Sequence, residues 1–187
     1  MGKSEGFADA GQALHGSTLI SWSGSPELSS VIASYNARRT IETCLDSLRL
    51  QNSSRTFETI LVDSSTDGTA DLVRQRYPEV KLITSTSRLF PGAARNVGPM
   101  AAQAKIIAFL DADCFVERGW VDAVLEAQRP PHYLVSGAIL NGTPDRPVAW
   151  AYYFCEFSHV AYHRRCYARV KVRETRLGLA GRRPGLG

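Results

Sequence analysis

The chain has 187 residues, of which 44% are hydrophobic and 21% are charged, and its formal net charge is +4. These values are typical of a soluble globular protein with one sizeable domain, and no run approaches the roughly 18 apolar residues of a membrane-spanning helix. Because no apolar segment follows Lys3, a secretory signal is not indicated, and we expect a cytoplasmic protein.

Strand and helix patterns begin after an N-terminal segment that has neither. Residues 1–27 are rich in Gly and Ser and predict a flexible lead. Residues 28–34 predict a first strand, and apolar residues at helical spacing from Ile41 to Leu48 predict a helix over residues 37–51.

The alternation continues through the middle of the chain. A second strand is predicted over residues 58–62, followed by a helix that Asp67 opens and Pro78 ends. A third strand over residues 80–84 precedes a helix over residues 93–104. Asp67 is interpreted as an N-cap of its helix rather than as a ligand contact.

The fourth strand ends in two acids and is the most informative segment of the chain. Residues 105–110 form an apolar run typical of a buried strand, and Asp111 and Asp113 follow it. In an extended segment these two side chains share a face, so they could hold one Mg²⁺ or Mn²⁺ ion together with substrate phosphates. The alternative is that Asp113 caps the following helix and Asp111 is a solvated strand end.

The last third of the chain changes in composition. A helix is predicted over residues 117–128, a strand over residues 133–140 and an aromatic-rich helix over residues 149–157. From His159 onward no helix or strand pattern remains, and residues 160–187 hold eight Lys and Arg against one Glu. Such a segment binds nucleic acid or anionic lipid, or is a solvated end. We expect no nucleic-acid partner, and association with a membrane surface stays open.

Alternating strands and helices predict an α/β fold with a parallel sheet, in which ligands bind beyond the carboxyl ends of the strands. Polar side chains stand at three of these ends: Ser34 after the first strand, Asp63 after the second and Asp111 after the fourth. We therefore expect them to converge on one crevice. The sequence contains no GxGxxG after the first strand and no GxxxxGK[ST], which argues against a dinucleotide-binding or P-loop domain.

Four segments together resemble glycosyltransferase family 2. They are VIASYN at residues 31–36, ILVDSSTDGT at 60–69, GAARNVG at 92–98 and FLDAD at 109–113. The resemblance implies a GT-A fold, which is a Rossmann-like, mostly parallel sheet flanked by helices. It also implies a nucleotide-diphosphate-sugar donor.

The resemblance implies roles for individual residues. Those that bind the nucleotide sugar are Ser34, Tyr35, Asp63, Arg95 and Asp111. Within this set, Asp63 accepts a hydrogen bond from the base, usually uracil. Asp113 holds the divalent metal, Mn²⁺ or Mg²⁺. Arg95 is alternatively a helix-surface charge.

The implied reaction is an inverting, metal-dependent transfer of the sugar to a saccharide or lipid-linked acceptor, as in polysaccharide biosynthesis. A divalent cation and Arg95 would stabilise the charge that builds on the departing diphosphate. Family members continue well past the metal motif, whereas only a short stretch follows Asp113 here, so the C-terminal part is expected to be truncated or irregular. No catalytic residue is identified, although Glu156 is a candidate base by its chemistry.

The domain organisation follows from these observations. Residues 28–158 form the predicted nucleotide-sugar-binding domain, between the lead and a basic, irregular tail over residues 159–187. The alternative function is a catalytically incomplete fragment that binds the nucleotide sugar without transferring it.

Overall fold

The computed structural model describes residues 24–128, 134–156 and 169–172, so most of the predicted lead and of the basic tail lies outside the described residues. In chain order the elements are β1 Leu28–Ser34, α1 Ile41–Arg49, β2 Phe57–Asp63, α2 Thr69–Arg76, β3 Lys81–Thr84, α3 Pro91–Met100, β4 Ile106–Asp111, β5 Cys114–Val116, α4 Trp120–Ala127, β6 Ala138–Asn141, α5 Pro147–Glu156 and β7 Arg169–Val172.

The main sheet has four parallel strands in the order β3-β2-β1-β4, which confirms the predicted α/β fold. Val31 in β1 lies between Ile60 of β2 and Phe109 of β4. The chain builds outward from β1 through β2 and β3 and then returns to place β4 on the other side of β1. Strand order therefore reverses between β1 and β4, where open α/β sheets form their ligand crevice.

Helix α1 covers one face of this sheet. Its apolar residues Ile41, Cys44, Leu45 and Leu48 are all buried and pack in one cluster with β1, β2 and α4. The helix begins four residues later than predicted, because Ala37 accepts hydrogen bonds from the N–H groups of Thr40 and Ile41 and closes a turn first.

Helix α3 lies so close to β1 that only glycine fits at the contact. A Cβ atom added to Gly98 would lie 2.2 Å from Cγ1 of Val31. Pro91 occupies the first turn of α3, and Pro99 lies inside the helix, which ends at Met100 rather than at the predicted residue 104. The close approach brings the first turns of α3 over the carboxyl edge of β1 and β4.

A second, smaller sheet has the order β5-β7-β6, with β7 antiparallel to β5 and parallel to β6. Strand β7 lies in the segment for which the sequence predicted no strand, and for residues 169–172 that prediction is wrong. The Arg-Val-Lys-Val alternation there has the period of a strand, but four residues are too few to distinguish it from an irregular basic tail.

Helix α5 packs on β6 through a small part of its surface. Ala149 and Tyr153 are buried, and the Tyr153 hydroxyl donates to the carbonyl oxygen of Ile139 at 2.7 Å. Trp150 and Phe154 stack on each other with their centroids 5.6 Å apart and remain exposed. Among the described residues, no helix is long and apolar enough to cross a membrane.

Candidate functional site

The carboxyl ends of β1, β2 and β4 lie at one edge of the main sheet. Ser34 pairs with Asp63 in the parallel register, and Ala33 pairs with Asp111 on the other side. The predicted polar strand ends are thus within one register position of each other, at the crevice between β1 and β4.

The loops that follow β1 and β2 are tied together by hydrogen bonds. The N–H of Asn36 donates to Ser65 Oγ at 2.7 Å, and the N–H of Thr66 donates to Asn36 Oδ1 at 3.0 Å. Asn36 has a φ of 51°, a left-handed conformation that asparagine tolerates better than most residues. Its role is therefore to turn the chain, and the turn positions Tyr35 beside the crevice.

Ser34 ends β1 as a buried residue, and its Oγ has no hydrogen-bond partner among the described residues. Leaving a buried hydroxyl unpaired costs about 1–3 kcal/mol. A ligand atom at the strand end would remove that cost.

Asp63 is buried with 1% of its surface exposed, and its carboxylate is held in place by the next turn. Ser65 donates from its hydroxyl to Oδ1 at 2.5 Å and from its N–H to Oδ2 at 3.3 Å. Each carboxylate oxygen can accept more than one hydrogen bond, so Asp63 keeps acceptor capacity for a ligand. The role of Ser65 as a donor to Asp63 was not predicted, although the Asp-x-Ser spacing is typical of an Asx-type turn.

Asp111 and Asp113 reach the site differently from the way the sequence suggested. Ala112 and Asp113 form a turn between β4 and β5, so the extended geometry assumed for the two acids is wrong. A three-residue strand follows immediately, and the reversal needs this turn. The alternative of a helix cap is also wrong, because α4 begins at Trp120 with Gly119 as its N-cap.

The two carboxylates nevertheless interact. Burial raises the pKa of Asp113, and the negative charge of Asp111 raises it further. Asp113 is half-buried, whereas the Asp111 side chain is 54% exposed. A cation near Asp113 would offset both effects.

Arg95 and Asp111, predicted separately, form an ion pair. Nη2 of Arg95 donates to Oδ1 of Asp111 from the second turn of α3. The Nε atom of Arg95 is buried and has no partner among the described residues. Arg95 is therefore not a free surface charge, and the pair partly neutralises the acidic edge.

Two buried thiols support the turn that carries the acids. Cys44 Sγ donates to the carbonyl oxygen of Asp111 at 3.7 Å, and Cys114 Sγ donates to Asp113 Oδ1 at 3.8 Å. Burial, followed by the charges of Asp113 and Asp111, raises the pKa of Cys44 to about 12, so the thiol stays protonated as a donor.

Asp67 serves its own loop but is not the N-cap that the sequence predicted, because Gly68 occupies the N-cap position of α2 and the helix has no side-chain cap hydrogen bond. Asp67 accepts from the N–H and hydroxyl of Thr69, at 3.1 and 2.5 Å, and from the N–H of Arg38 at 3.1 Å. Burial by itself raises the pKa of Asp67, but these hydrogen bonds outweigh it and hold the pKa below its usual value.

Two predicted features, the candidate base Glu156 and the metal site, are not seen as side-chain arrangements among the described residues. Glu156 is the last residue of α5, and its side chain lies outside the described part of the chain. In that described part, no group of three or more His, Cys, Asp or Glu side chains is arranged to hold a metal ion. At the end of β4, Asp111 and Asp113 are the two carboxylates that could bind a metal ion, so further ligands would have to come from a substrate.

The sequence and the fold of the chain are similar to those of known proteins. The sequence profile of "Glycosyl transferase family 2" matches residues 29–181. The chain is 31% identical over 102 residues to glycosyltransferase AglE of Haloferax volcanii, an alignment that covers 52% of this chain and 34% of that protein.

Two solved structures are similar in fold and sequence. Staphylococcus aureus TarS 1–349 in complex with UDP-GlcNAc has a TM-score of 0.52 at 27% identity, over 62% of this chain and 36% of that one. The mannosyltransferase PcManGT from Pyrobaculum calidifontis in complex with GDP-Man and Mn²⁺ has a TM-score of 0.51 at 28% identity, over 64% and 36%. The chain thus spans about a third of the length of the relatives it matches.

Proposed function

The chain belongs to glycosyltransferase family 2, and we propose that it binds a nucleoside-diphosphate sugar at the edge formed by Ser34, Asp63 and Asp111 and transfers the sugar to an acceptor. The observation that carries the proposal is the register of the main sheet, in which Ser34 pairs with Asp63 and its neighbour Ala33 pairs with Asp111. Similar chains bound to UDP-GlcNAc and to GDP-Man support a donor of this class.

The nucleoside would lie over the ends of β1 and β2. The buried carboxylate of Asp63 is held by Ser65 and can accept an N–H of the base, such as that of uracil. The unpaired hydroxyl of Ser34 offers a second polar contact, and the exposed ring of Tyr35, the next residue in the chain, would contact the nucleoside.

The diphosphate would lie toward β4, where the residues fit a divalent cation. Asp113 would hold Mn²⁺ or Mg²⁺ with Asp111 beside it, since hard cations prefer carboxylate oxygens. Burial and the charge of Asp111 raise the pKa of Asp113, and a bound cation would offset both effects. When bound, the cation supplies Lewis-acid stabilisation of the leaving diphosphate. Asp111 would also approach the ribose or the sugar.

Arg95 adds positive charge at the same place. Its guanidinium is paired with Asp111 and keeps an unpaired Nε atom, so one N–H group is left to donate a hydrogen bond to the nucleotide sugar. A fixed cation stabilises negative charge that develops as the glycosidic bond breaks.

The transfer is proposed to invert the anomeric centre, with a saccharide or lipid-linked acceptor as in polysaccharide biosynthesis. We propose action in the cytoplasm or at its membrane surface, which the basic composition of residues 160–187 and the exposed aromatic rings of α5 support. The catalytic base is not assigned. The second candidate is therefore a catalytically incomplete fragment that binds the donor without turnover.

Calorimetric titration with UDP-GlcNAc and GDP-mannose, with and without Mn²⁺, tests the proposal. We expect metal-dependent binding of one donor that Asp63→Asn and Asp113→Asn each weaken by about tenfold or more, through loss of a charged acceptor or metal ligand. Asp71→Asn, on the exposed face of α2, is the matched control and should bind as the wild type does. Absence of binding to any sugar nucleotide would refute the donor site, and binding without turnover would favour the fragment.

A further inference from the structure

A cluster of one cation and two aromatic rings stands at the rim of the donor site. The Arg88 guanidinium carbon lies 4.3 Å from the centroid of the Tyr35 ring and 5.2 Å from that of Phe90. Tyr35 is 41% exposed and Phe90 is 68% exposed, and Arg88 is also exposed. Such exposure is costly for large rings unless something covers them.

The loop that carries Arg88 is anchored to the strand end that carries Asp63. The N–H of Ser85 donates to the carbonyl oxygen of Asp63 at 2.9 Å, and the N–H of Leu89 donates to Ser64 Oγ at 3.1 Å. Tyr35 directly follows Ser34 at the end of β1. The Arg88 guanidinium, which lies over the Tyr35 ring, is therefore close to the crevice. The position of Arg88 is thus set from both β1 and β2.

Arg88 differs in its partners from other arginines of the main sheet region. Arg49, Arg55 and Arg95 each form an ion pair with a carboxylate, whereas Arg88 has no carboxylate or carbonyl partner within the described residues. Stacking on two rings fixes the plane of the guanidinium but leaves its N–H groups available. Planar, oriented N–H donors of this kind suit the oxygens of a phosphate.

The neighbouring helix adds to this preference for an anion. Helix α3 begins at Pro91, three residues after Arg88, and its first turn contains no acidic residue. The N–H groups at the start of a helix carry partial positive charge. Arg88, the start of α3 and Arg95 thus follow one another closely in the chain, and Arg95 reaches Asp111 at the end of β4.

We propose that Arg88 binds a phosphate group of the nucleotide donor, with Tyr35 and Phe90 holding the guanidinium in the orientation that this contact needs. The inference rests on the proposed function and adds to it a residue outside the family-like motifs. The contact between Arg88 and a phosphate would make the nucleotide site selective for nucleoside diphosphates over nucleosides.

Paired titrations of UDP and uridine, and of GDP and guanosine, in Mn²⁺ test the role of Arg88. Arg88→Met keeps the apolar stem and removes the charge, and we expect it to weaken diphosphate binding by roughly fivefold while leaving nucleoside binding unchanged. Arg88→Lys should retain part of the affinity. Arg74→Met, an exposed arginine on α2, is the matched control and should have no effect.

The outcomes separate this inference from the proposed function. Unchanged diphosphate binding in Arg88→Met, or an equal loss for diphosphate and nucleoside, overturns the phosphate contact while leaving the donor site in place. A wild-type chain that binds no nucleotide overturns both. Thermal unfolding of each variant verifies that the fold is retained, as expected for an exposed side chain.

Discussion

The four-stranded sheet and the three-stranded sheet differ in how completely their elements are covered. Strand β1 is buried along nearly its whole length, with α1 packed over the sheet and α3 pressed against β1. Strands β5, β6 and β7 have three or four residues each, and α5 leaves Trp150, Tyr152 and Phe154 exposed. The proposed donor site stands mainly on the first region, and Asp113, to which Cys114 of β5 donates, adjoins the second.

The two regions therefore differ in what their residues contribute to folding and to the proposed site. The polar groups of the crevice are fixed by hydrogen bonds between neighbouring loops and by the register of buried strands. The exposed aromatic face of α5 contributes little to folding by comparison, because burial rather than hydrophobicity as such provides the stabilisation.

The largest expected contrast comes from removing one apolar side chain in each region. Ile32→Ala in fully buried β1 should lower the free energy of unfolding by about 2–5 kcal/mol, through lost burial and the cavity left behind. Phe154→Ala on exposed α5 should change it by no more than about 0.5 kcal/mol. Urea unfolding of both variants measures this, and equal losses would show that α5 is covered in solution.

A smaller effect is expected at the contact between α3 and β1. Gly98→Ala forces a Cβ to within 2.2 Å of Val31 and should cost about 1–3 kcal/mol through overpacking. Gly92→Ala in the same helix has no atom within 4 Å of the added Cβ and is the control, expected to be neutral or slightly stabilising. If the two variants unfold alike, the helix does not lie as close to β1 as described.

The smallest expected effect concerns the loop between β2 and α2 and depends on pH. The pKa of Asp67 is lower in the folded state than its usual value, so the unfolded chain binds the proton more tightly and the folded state is favoured above that usual value. Asp67→Asn should cost about 1 kcal/mol at neutral pH, because an amide oxygen accepts more weakly than a carboxylate from Thr69 and from the N–H of Arg38. The difference from the wild type should shrink below about pH 4, as Asp67 becomes protonated in the wild type.

Thermal unfolding of the two proteins from pH 7 to pH 3 measures the Asp67 effect, with Asp71→Asn as the exposed control on the same helix. A wild-type-to-variant gap that widens in acid would contradict the assigned role. The stability of the α5 region should not respond to this substitution.

Much of the main sheet was predictable because its signals are local. Strand β1 has the predicted bounds, and the ends of β2, β3 and β4 differ from prediction by one residue, since apolar runs between turn residues mark buried strands directly. The two acids were predicted to form a site from their place at a strand end, which remains a prediction. Their geometry was not predicted, because a three-residue strand such as β5 has too short a pattern to reveal the turn before it.

The sequence by itself determined the alternation of strands and helices and the polar character of three strand ends, because hydrophobic period and strand termination are properties of neighbouring residues. Only the tertiary structure decided that Arg95 pairs with Asp111 and that Arg88 lies over the rings of Tyr35 and Phe90. It also decided that β7 lies between β5 and β6. Most of these contacts join segments far apart in the chain, and such pairings depend on strand order and helix packing rather than on local pattern.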